Sequence, residues 1–133
     1  MRILGIDYGT RRIGLAIGDV EHGIAFPREV IQNDEHVLER IQSILEKERV
    51  EEIVIGRPEK LTGKQSDLLP EITEFIQRLG QASGLIFHLE NEVFSTKAVY
   101  QGSTKRERID AASAALILQG YLDRIRKEQK PQG

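Results

Sequence analysis

The chain has 133 residues, of which 30% are charged, and a formal net charge of −2. That length fits one domain around one core, and the near-balance of charge counts against a generic polyanion binder, which is more often basic. The absence of cysteine excludes disulfides and thiolate metal sites. The first apolar run stops at Asp7 and no stretch approaches a membrane span, so a soluble, cytoplasmic protein without membrane contact is the expectation.

Arg2 to Ile6 is a short β-branched run that ends at Asp7. The polar turn Tyr8-Gly9-Thr10-Arg11-Arg12 leads into a second apolar run, Ile13 to Ile17, and the pair reads as a hairpin. Ile24 to Ile31 predicts a third strand with Pro27 inside it. Proline cannot donate to the ladder, so an edge position fits. Asn33 or Asp34 is the expected cap of a helix carrying Val37, Leu38, Ile41, Ile44 and Leu45 at helical spacing. Glu52 to Ile55 is a short buried strand stopped by Gly56. Arg57 to Gln65, with Pro58 and Gly63, reads as a loop.

A second helix places Leu68, Leu69, Ile72, Phe75, Ile76 and Leu79 on one stripe. Pro70 fixes its start nearby, since proline is tolerated only in the first turn. Gly80 and Gly84 close it, and Leu85 to Leu89 is a fifth strand. Ser95 caps a short helix ending near Gly102, and Thr104 with Glu107 forms a capping box. The last helix runs to about Arg126. Its inner face holds Ala111, Ala112, Ala114 and Ala115, then Leu116, Ile117, Leu118, Tyr121, Leu122 and Ile125. Small side chains let its first half lie close to a sheet. The order predicts an α/β fold, a mixed sheet with helices on its faces, in one domain over residues 1–126 with a polar tail at 127–133.

Three places carry chemistry. Asp7 sits where the first strand ends, and ligands of α/β sheets gather beyond the carboxyl ends of strands. Glu90 and Glu92 follow the fifth strand and flank Asn91, and either reaches the same end if that strand is parallel to the first. Asp110 lies in the last helix on the face of Ser113, Ala114 and Ile117, where a carboxylate is costly unless paired or bound to a cation. Converging carboxylates repel one another unless a hard divalent cation neutralises them. Magnesium suits few carboxylates because it keeps several waters, and two such ions can orient water for an in-line phosphoryl displacement. Arg11, Arg12, Arg57, Lys60, Lys64, Lys105, Arg106 and Arg108 form a candidate basic rim for phosphates.

The strings GIDYGTRRIGLAIGD, VIGRPEKLTG, LENEVFST and KRERIDAASAALILQGYLD together resemble the bacterial Holliday-junction-resolvase-like family, also described as pre-16S rRNA nucleases. The resemblance spans residues 2 to about 124, and the first and last strings are its specific parts. It implies an RNase H-like fold with strand order 3-2-1-4-5 and the second strand antiparallel to the rest. It also implies a carboxylate cluster binding Mg²⁺ or Mn²⁺, with the family acids falling on Asp7, Glu92 and Asp110. The implied activity is metal-dependent phosphodiester hydrolysis at the 5′ end of precursor 16S rRNA. The implied partners are precursor rRNA, a ribosomal precursor particle or branched DNA, with the chain a monomer or weak homodimer.

Two strings depart from the family pattern. The usual Asp-Glu-Arg is Asn91-Glu92-Val93, and the usual Leu-Pro-Leu-Asn is Arg57-Pro58-Glu59-Lys60. The segment between Thr96 and Lys105 is also shorter than usual. The competing readings are resolution of branched DNA and, favoured by Asn91-Glu92-Val93, nucleic-acid binding without catalysis. A nucleotide-binding fold of the sugar-kinase and actin type ranks last, because it needs two domains and a cleft.

Overall fold

Ile3, Leu4, Gly5 and Ile6 are all buried, so their strand is covered on both faces and belongs in the middle of a sheet. The computed structural model, which describes residues 1–57, 69–91 and 106–129, puts it there. The elements are β1 (Arg2–Asp7), β2 (Arg12–Asp19), β3 (Ile24–Gln32), α1 (Val37–Lys47), β4 (Val50–Arg57), α2 (Leu69–Ser83), β5 (Ile86–Asn91) and α3 (Arg106–Gln129). The five strands form one sheet in the order β3-β2-β1-β4-β5. β2 runs antiparallel to β1, while β4 and β5 run parallel to it. The mixed sheet, the opening hairpin and the antiparallel second strand are as expected.

Alternation along the strands divides the core into two layers. Leu4, Ile6, Ile13, Leu15, Ile53 and Ile55 face α1 and α2, where they meet Ile41, Leu45, Ile72, Phe75 and Leu79. Ile3, Ala16 and Val54 face α3, where they meet Ala114, Ile117, Leu118, Tyr121 and Leu122. The α3 layer is built of smaller groups because its strands bring glycine to the contact. A Cβ at Gly5 would lie 2.8 Å from Leu118 Cβ and 3.0 Å from the Ala114 carbonyl oxygen.

β3 is the edge strand that Pro27 called for. Ala16 pairs with Pro27 and Leu15 with Glu29, so Arg28 is an extra residue in the ladder. A bulge at this point accommodates the proline and bends the edge.

Some boundaries differ from expectation. β5 spans Ile86–Asn91 rather than Leu85 to Leu89, β4 continues through Arg57, and α3 continues to Gln129. Helix α1 is capped by neither Asn33 nor Asp34. Its N-cap is His36, which makes no side-chain cap. Asp34 instead accepts from the His36 N–H at 3.0 Å and from Arg40 at 2.7 Å, closing the turn before the helix. Leu116 is 36% exposed, while Ile117 and Leu118 are buried. Three consecutive positions span about 200° of a helix, so they cannot all face one sheet. The short helix expected between Ser95 and Gly102, and Thr104 of the capping box, lie outside the described residues.

The Gly5 contact yields a direct test. Gly5→Ala should destabilise the chain by about 1–3 kcal/mol, the range for overpacking a filled interior. Urea unfolding measures this, and an unchanged midpoint would mean that α3 does not sit on β1 as described.

Candidate active site

The seat of α3 decides which residues meet at the end of β1. Gly5 lies against Ala114 and Leu118, and Gly18 lies against Leu118 and Leu122. Gly18 pairs with Ile3, so higher numbers in α3 lie toward the start of β1. The helix therefore runs antiparallel to β1, and its first turns lie toward the carboxyl end of the strand. Asp7 is two residues past Gly5, roughly 7 Å further along and on the same face. Asp110 is one turn before Ala114, about 6 Å back along the helix and on the same helical face. The two acids thus belong to one end of the sheet and one layer. For Asp110, Arg106 and Arg108, as for Arg57, the structure describes the backbone alone.

The turn after Asp7 is held by residues that the sequence did not single out for this role. The Asn33 side-chain amide donates to the Gly9 carbonyl at 2.8 Å, and its backbone N–H donates to the Arg11 carbonyl at 2.9 Å. On the opposite face, the Tyr8 ring packs on Phe75 with centroids 5.0 Å apart. The Tyr8 hydroxyl donates to Glu71 Oε2 at 2.8 Å. Burial pushes the Tyr8 hydroxyl above its ordinary pKa; a hydrogen bond with Asn33 opposes it, and the Glu71 carboxylate adds to the upward push. Tyr8 thus stays a protonated donor that pins the end of β1 to α2. The signal in the sequence was an Asn placed directly after a strand, which reads equally well as a helix cap.

Of the two glutamates, Glu90 lies within the described residues. Ile6, Ile55 and Leu89 lie in one row across β1, β4 and β5. One step further, Glu90 is level with Asp7 on the α3 face. Its side chain is only 15% exposed, and it accepts from Arg124 Nη2 at 2.5 Å. Arg124 stands 5.5 Å above the Tyr121 ring, which lies 4.9 Å from the ring of His88. His88 Nε2 is 3.0 Å from Glu52 Oε1. Glu90 is therefore engaged in a network joining β4, β5 and α3. Glu92 follows β5 directly and lies outside the described residues, as do Lys60, Lys64 and Lys105.

Arg11 is exposed and Arg12 half-buried, both in the turn beside Asp7. Arg57 ends β4, and Arg106 and Arg108 open α3, so their backbones belong to the same end. Among the described residues no three acidic or histidine side chains form a metal-holding group. The donor set that Asp7 and Asp110 offer is all carboxylate oxygen, which fits a hard divalent cation and not a thiophilic one.

A family model described as "RuvX: Holliday junction resolvase" matches residues 1–124. A "Putative pre-16S rRNA nuclease" of Sulfurihydrogenibium sp. (strain YO3AOP1) is 38% identical, over 93% of this chain and 91% of that protein. A protein of the same description from Halothermothrix orenii is 35% identical, over 92% and 95%. Among solved structures, T. thermophilus RuvC in complex with a Holliday junction substrate superposes with a TM-score of 0.65 at 14% identity, covering 99% of each chain. The Fowlpox virus resolvase bound to Holliday junction DNA superposes with a TM-score of 0.60 at 14% identity, over 94% of this chain and 99% of that one. At that identity the likeness is one of fold, and the fold is RNase H-like.

Asn33→Ala should loosen the turn that follows Asp7. The loss of the bond to Gly9 should cost about 1 kcal/mol of stability. Amide exchange should quicken at the Gly9–Arg12 turn while β4 stays protected. Uniform exchange across the sheet would show that Asn33 does not govern this turn.

Proposed function

Because the chain belongs to the RuvX family of Holliday junction resolvases, we propose that it is a nuclease hydrolysing phosphodiester bonds at the end of β1. The observation that carries this reading is the antiparallel seat of α3, whose first turns lie toward the carboxyl end of β1. In this reading Asp7, Glu92 and Asp110 hold Mg²⁺ or Mn²⁺. Such an ion, when bound, supplies Lewis acidity toward phosphate oxygens and lowers the pKa of water. Asp7 comes from the middle of a rigid sheet, and rigid placement is what a metal site requires. Asp110 approaches on a helix whose small face permits close packing.

The protein's own cations handle the rest of the substrate. Arg11, Arg12, Arg57, Lys60, Lys64, Lys105, Arg106 and Arg108 form the basic rim in this reading. They contact backbone phosphates, fix the register of the nucleic acid and carry no sequence information themselves. Residues 1–126 act as one nuclease domain, whose last helix runs on to Gln129. The names of the relatives favour precursor 16S rRNA as substrate, which makes a ribosomal precursor particle the working partner. The description of the family favours branched DNA as the second reading.

Two experiments test this. Mg²⁺ and Mn²⁺ should raise thermal stability by mass action, and Asp110→Asn should weaken that response. The same change should lower cleavage by more than about 100-fold, beyond the loss typical of outer-shell changes at metal sites. Removing one of several repelling carboxylates should leave the metal-free fold intact or more stable. Equal metal shifts in both proteins would remove Asp110 from the site. Matched precursor rRNA, single-stranded and four-way-junction substrates then separate the two readings.

The second experiment concerns the rim. Neutralising Arg57, Lys60 and Lys64 together should reduce the salt dependence of binding by up to about three counterions, roughly one for each phosphate no longer neutralised. An unchanged slope would exclude that segment from the interface.

A further inference from the structure

We propose that Gln119 and the Glu90–Arg124 pair are positioning residues that fix the rotation of α3 and thereby set where the backbone of Asp110 stands relative to Asp7. The inference rests on the reading above that these two acids share a site.

The contact between α3 and β1 is apolar and fine-grained, with Ala114 and Leu118 lying on Gly5. Apolar attraction is non-directional. Close packing on Gly5 and Gly18 sets how far along the strand the helix sits, but so small and smooth a surface does not by itself choose among small rotations. Directional bonds do choose, and they stand on both flanks of the helix.

Toward β3, the Gln119 amide is fixed at both ends. Its Oε1 accepts from the Ala25 N–H at 2.9 Å, and its Nε2 donates to the Gly23 carbonyl at 2.8 Å. The same Nε2 donates to Asp123 at 3.0 Å, one turn along the helix. Toward β5, Arg124 donates to Glu90 at 2.5 Å and stands over Tyr121. Tyr121 in turn packs on His88, which is bonded to Glu52 of β4. Arg124 lies five positions after Gln119, about 140° around the helix. The clamps therefore oppose each other across the apolar stripe, and a rotation that eases one strains the other. Asp110 lies nine positions before Gln119, about 14 Å up the same helix. A helix transmits rotation over that length, so the clamps set where the backbone of Asp110 stands without touching it.

The absence of native cysteine permits a test that does not depend on activity. In the full chain, Asp7→Cys with Asp110→Cys places two unique thiols at the site, and a short bismaleimide reports their proximity. Cross-linking should be efficient with the clamps intact. Gln119→Ala and Arg124→Ala should each slow it severalfold, and the two together more. Glu90→Arg combined with Arg124→Glu should restore the rate, which a merely structural arginine would not allow.

Should Arg124→Ala fail to fold, Arg124→Gln keeps the stem and carries the comparison. In the cysteine-free chain, loss of both clamps should lower kcat by up to about 100-fold, the penalty for a misplacement near 1 Å, with KM little changed. An unchanged cross-linking rate in folded clamp variants overturns the inference. No cross-linking even with intact clamps overturns the shared site as well. A chain that cross-links as expected but cleaves no nucleic acid overturns the nuclease reading alone.

Discussion

The α3 backbone can approach β1 because Gly5 puts no side chain between them, and a Cβ there would fall 2.8 Å from Leu118 Cβ. Most of what matters at the candidate site follows from this contact. It draws a helix down onto the central strand, and Gly18 on β2 extends the contact toward the far end. With the register of the helix fixed against the strand, Asp110 and Asp7 fall at the same end of the sheet. A bulkier residue at position 5 would lift the helix and carry the backbone of its first turns away from the end of β1.

The two faces of the sheet are stabilised differently. The α1 and α2 face is filled by large branched side chains, among them Ile6, Leu15, Ile41, Ile55 and Leu79, all fully buried. The α3 face has a smaller apolar layer and a ring of polar contacts around it. Those contacts are directional and form at the ends of long side chains, so they orient rather than drive folding. The turn beside Asp7 is organised in the same way, with Asn33 on its carbonyls and Tyr8 anchoring the strand end to α2. A metal site needs such support, because ligands held loosely lose affinity to entropy and geometry.

The relation to known proteins works at two levels. Similarity of 35–38% over nearly the whole chain ties it to the curated relatives. The solved resolvases share the fold at 14% identity, which is enough for strand order and helix placement. Fold alone does not carry function. Within the fold, the position of Glu90 shows why residues must be taken one at a time. It is level with Asp7 on the same face, yet its carboxylate is held by Arg124.

Much of this was legible in the sequence. Alternating and 3.6-period apolar patterns marked the five strands and the helices that flank them, because burial on one face imposes those periods on any sequence that folds. Pro27 marked an edge strand, since a residue without an N–H cannot sit in the middle of a ladder. Asp7 and Asp110 stood out as acids at a strand end and on a small-residue helical face, and the tertiary placement of α3 brings their backbones to one end. The resemblance of the motif strings also implied the strand order 3-2-1-4-5, which the sheet has. The assignment of Glu90, the true role of Asn33 and the direction of α3 were not legible. Each depends on a partner distant in sequence: Gly9 for Asn33, Arg124 for Glu90, and Gly5 with Gly18 for the direction of α3. Local pattern records which face a residue buries. Only the folded chain decides what it is buried against, because that choice is made by contacts between segments that the sequence keeps apart.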